Sequence, residues 1–359
     1  MLRALVLAGL VLAATPLAAE PVVVMAYNVE NLFDTQDDPA NRFDDPYLPK
    51  AVKDTRLGHD ARCAQTMRSP AEIKSCQDLD WNALALHRKM QGIASVVEAV
   101  SPDVLVLLET ENPEVVELLR DDYLADLDFQ TLVHLDGSSI ITDTGIDVAI
   151  LSRLPLAERE TAHIVRYTGR EDDVCVATRD IVQAPLALPD GAVLHVFGLH
   201  LPAGDYPFFC RRVAMQTLNA AAGRLPENAL KLAIGSFNFT CSEAQGDAVT
   251  RLLLEGGWQI PPEVQSGCRE PGTSKDRQPG YDNWSSWSFL DFALVSQNLL
   301  DRASKSGWYA NLGSFRTLVV DERQIDADDS GAVSPRRTSA GGISDHWPVA
   351  IDLIPRSSE

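Results

Sequence analysis

Short, wholly apolar runs rich in β-branched residues recur along the chain, separated by polar stretches and by longer segments with helical spacing. Val22 to Ala26 is such a run and reads as a buried strand, with Tyr27 and Asn28 at its exit. From Leu84 to Val100 the apolar positions Leu84, Leu86, Met90, Ile93, Val96, Val97 and Val100 fall on one helical face, and Pro102 stands just past the end. Val104 to Leu108 is a second buried strand that delivers Glu109 to its end, and Val115, Val116 and Leu119 predict a helix behind it. Further strands are predicted at Ile146 to Leu151, Asp180 to Ala187, Val193 to Leu199, Leu232 to Ile234, Phe289 to Val295 and Val349 to Ile354, and further helices at Arg211 to Ala222 and Gly246 to Glu255.

Pro189-Asp190-Gly191 between two of these strands suits an antiparallel hairpin, which implies mixed sheets in place of a purely parallel one. Two packed sheets flanked by helices accommodate the elements, and no composition break or repeat marks a second domain. The chain is read as a leader over residues 1–19 and a single domain over 20–359. Within the domain, residues 34–81 form an Asp/Pro-rich loop or insertion (Asp37-Asp38-Pro39, Asp44-Asp45-Pro46), either functional or a solvated acidic face.

Arg3, the apolar run Ala4 to Ala14 and the small residues Ala18 and Ala19 resemble an export signal too short to span a bilayer, which takes about 20 residues. The expectation is a periplasmic or secreted protein without stable membrane insertion or an evident obligate protein partner. A formal charge of −20 argues against sequence-blind clamping of duplex DNA, although a cation in a cleft inverts the local field. Cys63, Cys76, Cys175, Cys210, Cys241 and Cys268 fit three disulfides, with Cys63–Cys76 the favoured local pair, and the absence of a C-x-x-C step argues against structural zinc.

Polar residues repeatedly stand where apolar strands end: Asn28, Glu109, His200 and Asn238 at exits, Asp291 at an entrance, Asp345-His346 before the last strand. Most such residues serve turns or local hydrogen bonds. A carboxylate at the mouth of a buried strand, as Glu109 is, calls for a cation more than for an ion pair.

The segments Ala26 to Asp34 (Ala-Tyr-Asn-Val-Glu-Asn-Leu-Phe-Asp), Glu109-Thr110-Glu111-Asn112, Gly145-Ile146-Asp147, Gly198-Leu199-His200, Gly235-Ser236-Phe237-Asn238 and Ser344-Asp345-His346-Trp347-Pro348 resemble the endonuclease/exonuclease/phosphatase superfamily, in its order and over nearly the whole chain. The resemblance implies an α/β four-layer sandwich of two mixed sheets with helices outside, and cleavage of phosphate esters with Mg2+ or Mn2+. It implies a metal site at Asn28, Glu109 and Asp345. It further implies that His346 contacts the scissile phosphate, that Asp291 pairs with it, that Asn238 contacts phosphate and that His200 flanks it.

Ser236 departs from the superfamily's Gly-Asp-x-Asn, replacing the aspartate that positions or deprotonates the attacking water. A hydroxyl can orient water but is no base near neutral pH. Thr144, before Gly145, is a second departure where relatives carry arginine. Arg179 and Arg211-Arg212 are read as phosphate contacts or surface arginines, and Trp284, Trp287 and Phe289 as stacking residues or core. Two readings stay open: a phosphoesterase acting on nucleic acid, nucleotide or phospholipid headgroup, weakened at Ser236, or a non-catalytic relative that binds a phosphorylated ligand or partner.

Overall fold

The computed structural model describes residues 20–38, 41, 43–67, 69–135, 145–168, 174–175, 179–265, 270–275, 287–300, 307–327 and 331–356; the leader-like residues 1–19, Thr144, Cys268 and Trp284 lie outside them. The strands that carry the fold are β1 (Val22–Leu32), β2 (Val104–Thr110), β3 (Thr131–His134), β4 (Asp147–Ser152), β5 (Thr161–His163), β6 (Ile181–Ala187), β7 (Val193–His200), β8 (Leu230–Ser236), β9 (Trp258–Gln259), β10 (Asp291–Ser296), β11 (Trp308–Thr317) and β12 (Val349–Pro355). They form two six-stranded sheets, ordered β11-β12-β1-β2-β4-β3 and β5-β6-β7-β8-β10-β9. Each sheet has one parallel pair, β1 with β2 and β7 with β8, among antiparallel neighbours. The expected hairpin is the antiparallel β6–β7 pair, closed by the Gly191 N–H on the Leu188 carbonyl at 2.8 Å.

Side chains alternate across a strand, and here both faces are covered, so the runs read as continuously apolar. Val24, Ala26, Val104, Val106 and Val148 face Val182, Val196 and Ile234 of the second sheet in one core. Met25, Tyr27, Leu105, Leu107 and Leu151 face the opposite way, onto helices α4 (Ala83–Val100) and α5 (Pro113–Leu118). Asn82 caps α4 by accepting the Leu84 and Ala85 N–H groups, and left-handed Ser101 ends it before Pro102. Leu86, Met90, Ile93, Val96 and Val97 are buried, each contributing roughly 1.5–3 kcal/mol, whereas Leu84 stays 54% exposed. Helices α6 (Phe208–Gly223) and α7 (Asp247–Glu255) cover the second sheet, completing four layers.

The Asp/Pro-rich insertion is more ordered than a loop, containing α1 (Lys50–Thr55), α2 (His59–Thr66) and α3 (Pro70–Asp78). Helices this short are marginal alone. The Cys63–Cys76 disulfide joins α2 to α3, the Lys53 ammonium donates to the carbonyls of Pro46, Cys76 and Leu79, and Asp45 holds Arg56 and Arg62. A second disulfide joins Cys175 to Cys210, and Cys241 is disulfide-bonded too. His59 lies beside Cys63 and Cys76, but both sulfurs are spent in the disulfide, which leaves no thiolates for zinc.

Asp44 in this insertion is 1% exposed, and its Oδ1 has no hydrogen-bond partner. Burial, reinforced by the charges of Asp37 and Asp45 and only partly offset by the Asp38 N–H, pushes its carboxyl from 3.8 up to about 7. The fold thus favours the neutral acid: that stability is fully present below about pH 4 and is lost as pH rises through about 7. Asp44→Asn is expected to shrink the fall in melting temperature between pH 4 and 8 and to raise it at pH 8 by roughly 2–4 °C, the effect of about 1 kcal/mol in a large domain. Thermal melts across that range check it; an unchanged slope would remove Asp44 as its source.

Candidate active site

The strand ends converge on one rim. In the second sheet, β8 is central: Ser236 is the Cα partner of His200 on β7 and of Asp291 on β10, so the three residues form a row across adjacent strands. Gly235 precedes the row at φ 147°, where a Cβ would stand 2.1 Å from the Leu199 carbonyl oxygen. Only glycine lets β7 and β8 approach so closely there.

Asp291 has two partners, one for each oxygen. The Ser236 hydroxyl donates to Oδ1, and Oδ2 lies 2.6 Å from His346 Nδ1. All three side chains are buried. Burial alone would lower the His346 imidazole, but the Asp291 charge and hydrogen bond, with Asp345 and Glu109 behind them, raise it from 6.5 to about 10. His346 is therefore cationic at neutral pH, with Nδ1 committed to Asp291 and Nε2 left for a ligand. The loop before it is pinned to the first sheet: Ser344 Oγ donates to the Asn28 carbonyl at 2.7 Å and accepts the His346 N–H at 3.1 Å.

Across the cleft, Glu109 sits in a bulge of β2 at φ 68°. Its Oε1 accepts the Asn28 amide and its Oε2 the Asn31 N–H, both at 3.0 Å. Burial first, then the Asp345 charge, raises the carboxyls of both Glu109 and Glu30. Arg337 bridges Asp345 at 3.0 Å and Glu30 at 3.5 Å. Glu30, Asn31, Glu109 and Asn238 all have positive φ, a cost of roughly 1–2 kcal/mol per residue that gathers at this rim. Glu109 and Asp345, close enough for the charge of one to act on the other, with the Asn28 amide beside Glu109, are hard oxygen donors of the type a divalent ion takes.

His200 lies 3.7 Å from Glu109 Oε1 and is pushed well below its ordinary value by burial, then by the charges of Arg179 and His346. Its Nδ1 has no hydrogen-bond partner. Asn238 spends one amide N–H on the Leu201 carbonyl at 2.7 Å. Asn28, Glu109, His200, Ser236, Asn238, Asp291, Asp345 and His346 thus stand at this rim.

The arginines divide. Arg179 lies close enough for its charge to act on both Glu109 and His200. Arg211 is neither a surface nor a phosphate-binding residue: it is fully buried on Glu243 and the carbonyls of Pro202 and Ala203. Trp287 is fully buried against Trp347, with ring centres 4.9 Å apart, and Phe289 is buried too, so both are core and neither offers a stacking face. Sequence reasoning assigned no role to Glu30, Lys89 and Arg337. Lys89 had a visible signal, a cation inside the apolar stripe of α4.

Two mixed six-stranded sheets with helices outside and a polar rim at the strand ends define an α/β four-layer sandwich. The chain belongs to the Endonuclease/Exonuclease/phosphatase family, whose model matches residues 81–346. It is similar in structure to an endonuclease/exonuclease/phosphatase family protein from Bacteroides thetaiotaomicron (14% identity, 94% of this chain and 100% of that one, TM-score 0.55). D. rerio TDP2 complexed with single strand DNA product (13%, 93% and 99%, 0.54) and sphingomyelinase C from Streptomyces griseocarneus (15%, 93% and 99%, 0.54) are similar as well. At these identities the likeness is one of fold. No curated protein matches the chain in sequence. Among the described residues, no helix is long and apolar enough to cross a membrane.

Proposed function

We propose that the chain is a divalent-metal-dependent phosphodiesterase acting outside the cytoplasm, residues 1–19 being a cleaved leader and 20–359 one catalytic domain. The observation that carries this reading is the Asp291–His346 pair facing the carboxylates of Glu109 and Asp345. The disulfides support the location.

Glu109 and Asp345, with Asn28 orienting Glu109, would hold Mg2+ or Mn2+. Bound there, the ion would supply open positions for phosphate oxygens and neutralise charge developing in the transition state. His346, locked by Asp291, donates Nε2–H to a phosphate oxygen, and the free amide hydrogen of Asn238 reaches another. Arg179 adds positive charge on the His200 side. The Ser236 hydroxyl donates its one hydrogen bond to Asp291, so only its lone pairs remain to orient the attacking water, without deprotonating it. Neutral His200, next in the row, flanks the phosphate with an unspent ring nitrogen.

The commitment of Ser236 to Asp291 favours one rival, a non-catalytic cleft that binds a phosphorylated ligand. DNA, RNA, an aryl phosphodiester and an aryl phosphomonoester, each with manganese, magnesium or chelator, separate the two. Metal-dependent turnover of the diesters is expected. Turnover of none of the four would sink the enzyme in favour of the binding reading.

A further inference from the structure

We infer that Lys89, on the helix behind the site, is a positioning residue that sets the geometry of the metal-binding carboxylates; the inference rests on the metal reading above. Lys89 lies on the buried face of α4 and is 3% exposed, a place that Leu86, Met90 and Ile93 fill with apolar side chains. A lysine there must satisfy three N–H donors without water. It does so on two segments, the end of β1 and the loop before β12: the Glu30 carbonyl at 3.1 Å, the Thr338 hydroxyl at 2.5 Å and the Ile343 carbonyl at 2.6 Å.

Each acceptor adjoins the site. Glu30 follows Asn28 by two residues, Thr338 follows Arg337, and Ile343 precedes Asp345 by two. Further bonds tie the acceptors together, from Thr338 Oγ1 to the Ile343 carbonyl at 3.0 Å and from the Thr338 N–H to Glu30 Oε2 at 2.6 Å. One turn along α4, Ile343 packs over Gly92, where a Cβ would come within 3.0 Å of its side chain. Helix α4 therefore grips the loop that carries Asp345 and His346 and fastens it to the end of the strand that carries Asn28. With all three donors spent, Lys89 has none left for substrate, so it acts through the residues it holds. A compact ammonium suits three converging acceptors where a planar guanidinium would not.

Manganese affinity by calorimetry, kcat and KM are measured on the full mature chain as wild type, Lys89→Met, Thr338→Val and Glu109→Gln. Lys89→Met should bind manganese about 10- to 100-fold more weakly, as loss of a group that orients metal ligands does, and should lose kcat with little change in KM. Thr338→Val removes one acceptor and should move both in the same direction by less. A merely structural lysine would lower the melting temperature and leave the affinity of folded protein alone. If Glu109→Gln loses manganese while folded Lys89→Met keeps the wild-type affinity, the role of Lys89 is overturned and the metal reading stands. If Lys89→Met does not fold, wild-type affinity in Thr338→Val overturns it equally. If wild type binds no manganese, or Glu109→Gln keeps it all, the metal reading fails and takes this inference with it.

Discussion

Glu109→Gln is expected to lower metal-dependent phosphodiester turnover by on the order of 10³- to 10⁵-fold, because an ion in such a site contributes several kcal/mol of charge stabilisation. The carboxylate meets three demands at once: it accepts from Asn28 through one oxygen and from Asn31 through the other, and it keeps lone pairs for a cation. Glutamine has one acceptor oxygen, so one of these donors faces an NH2 group and the negative charge is gone. Saturating manganese should raise the wild-type melting temperature, since an ion bound only to the folded state at about 100 times its Kd stabilises by about 2.7 kcal/mol. The variant should show little of that shift. A full shift in Glu109→Gln would mean that the ion, if one binds, sits elsewhere.

The second large effect runs the other way. Ser236→Asp should increase phosphodiester turnover by about 10- to 10³-fold, somewhat below the general-base range because the surroundings are packed for a hydroxyl. The Ser236 side chain faces Asp291 Oδ1, so the new carboxylate would stand against an existing one. Like charges so close push a carboxyl upward, towards the pH at which it works best as a base. The same repulsion should lower the melting temperature in chelator and be relieved when manganese is present. Ser236→Asp combined with His346→Ala is the control: a gain that survives loss of His346 comes from a contaminating nuclease. Folded, metal-binding Ser236→Asp without a gain would mean that the cleft binds without cleaving, or that another group such as His200 already serves the water.

The central strands and α4 were legible because their signals are local: runs buried on both faces, an apolar stripe, a proline past the end. Strand β11 was not, since its edge position leaves polar Asn311, Ser314 and Arg316 among its apolar residues and a bulge breaks its pairing with β12. The insertion helices were hidden for a different reason, being held by a disulfide and by ion pairs to the buried Asp45. One local signal was there: Ser69, Pro70 and Glu72 form a capping box with proline at the first turn. At the site, residue types at strand ends pointed to Asn28, Glu109, His200, Asn238, Asp291, Asp345 and His346. Arg179 and Lys89 act through tertiary placement, and whether an arginine comes near Glu109 and His200, as Arg179 does, or is buried on Glu243, as Arg211 is, is decided by contacts distant in sequence.

Because Asp291 divides its two oxygens between Ser236 and His346, positions 236 and 346 cannot vary independently. A residue at 236 that donates to Asp291, repels it or leaves it bare alters the charge that holds the imidazole, whatever it does for the water. Substitutions along the row should therefore show epistasis, with the effect of a change at one position depending on which residue the other already carries.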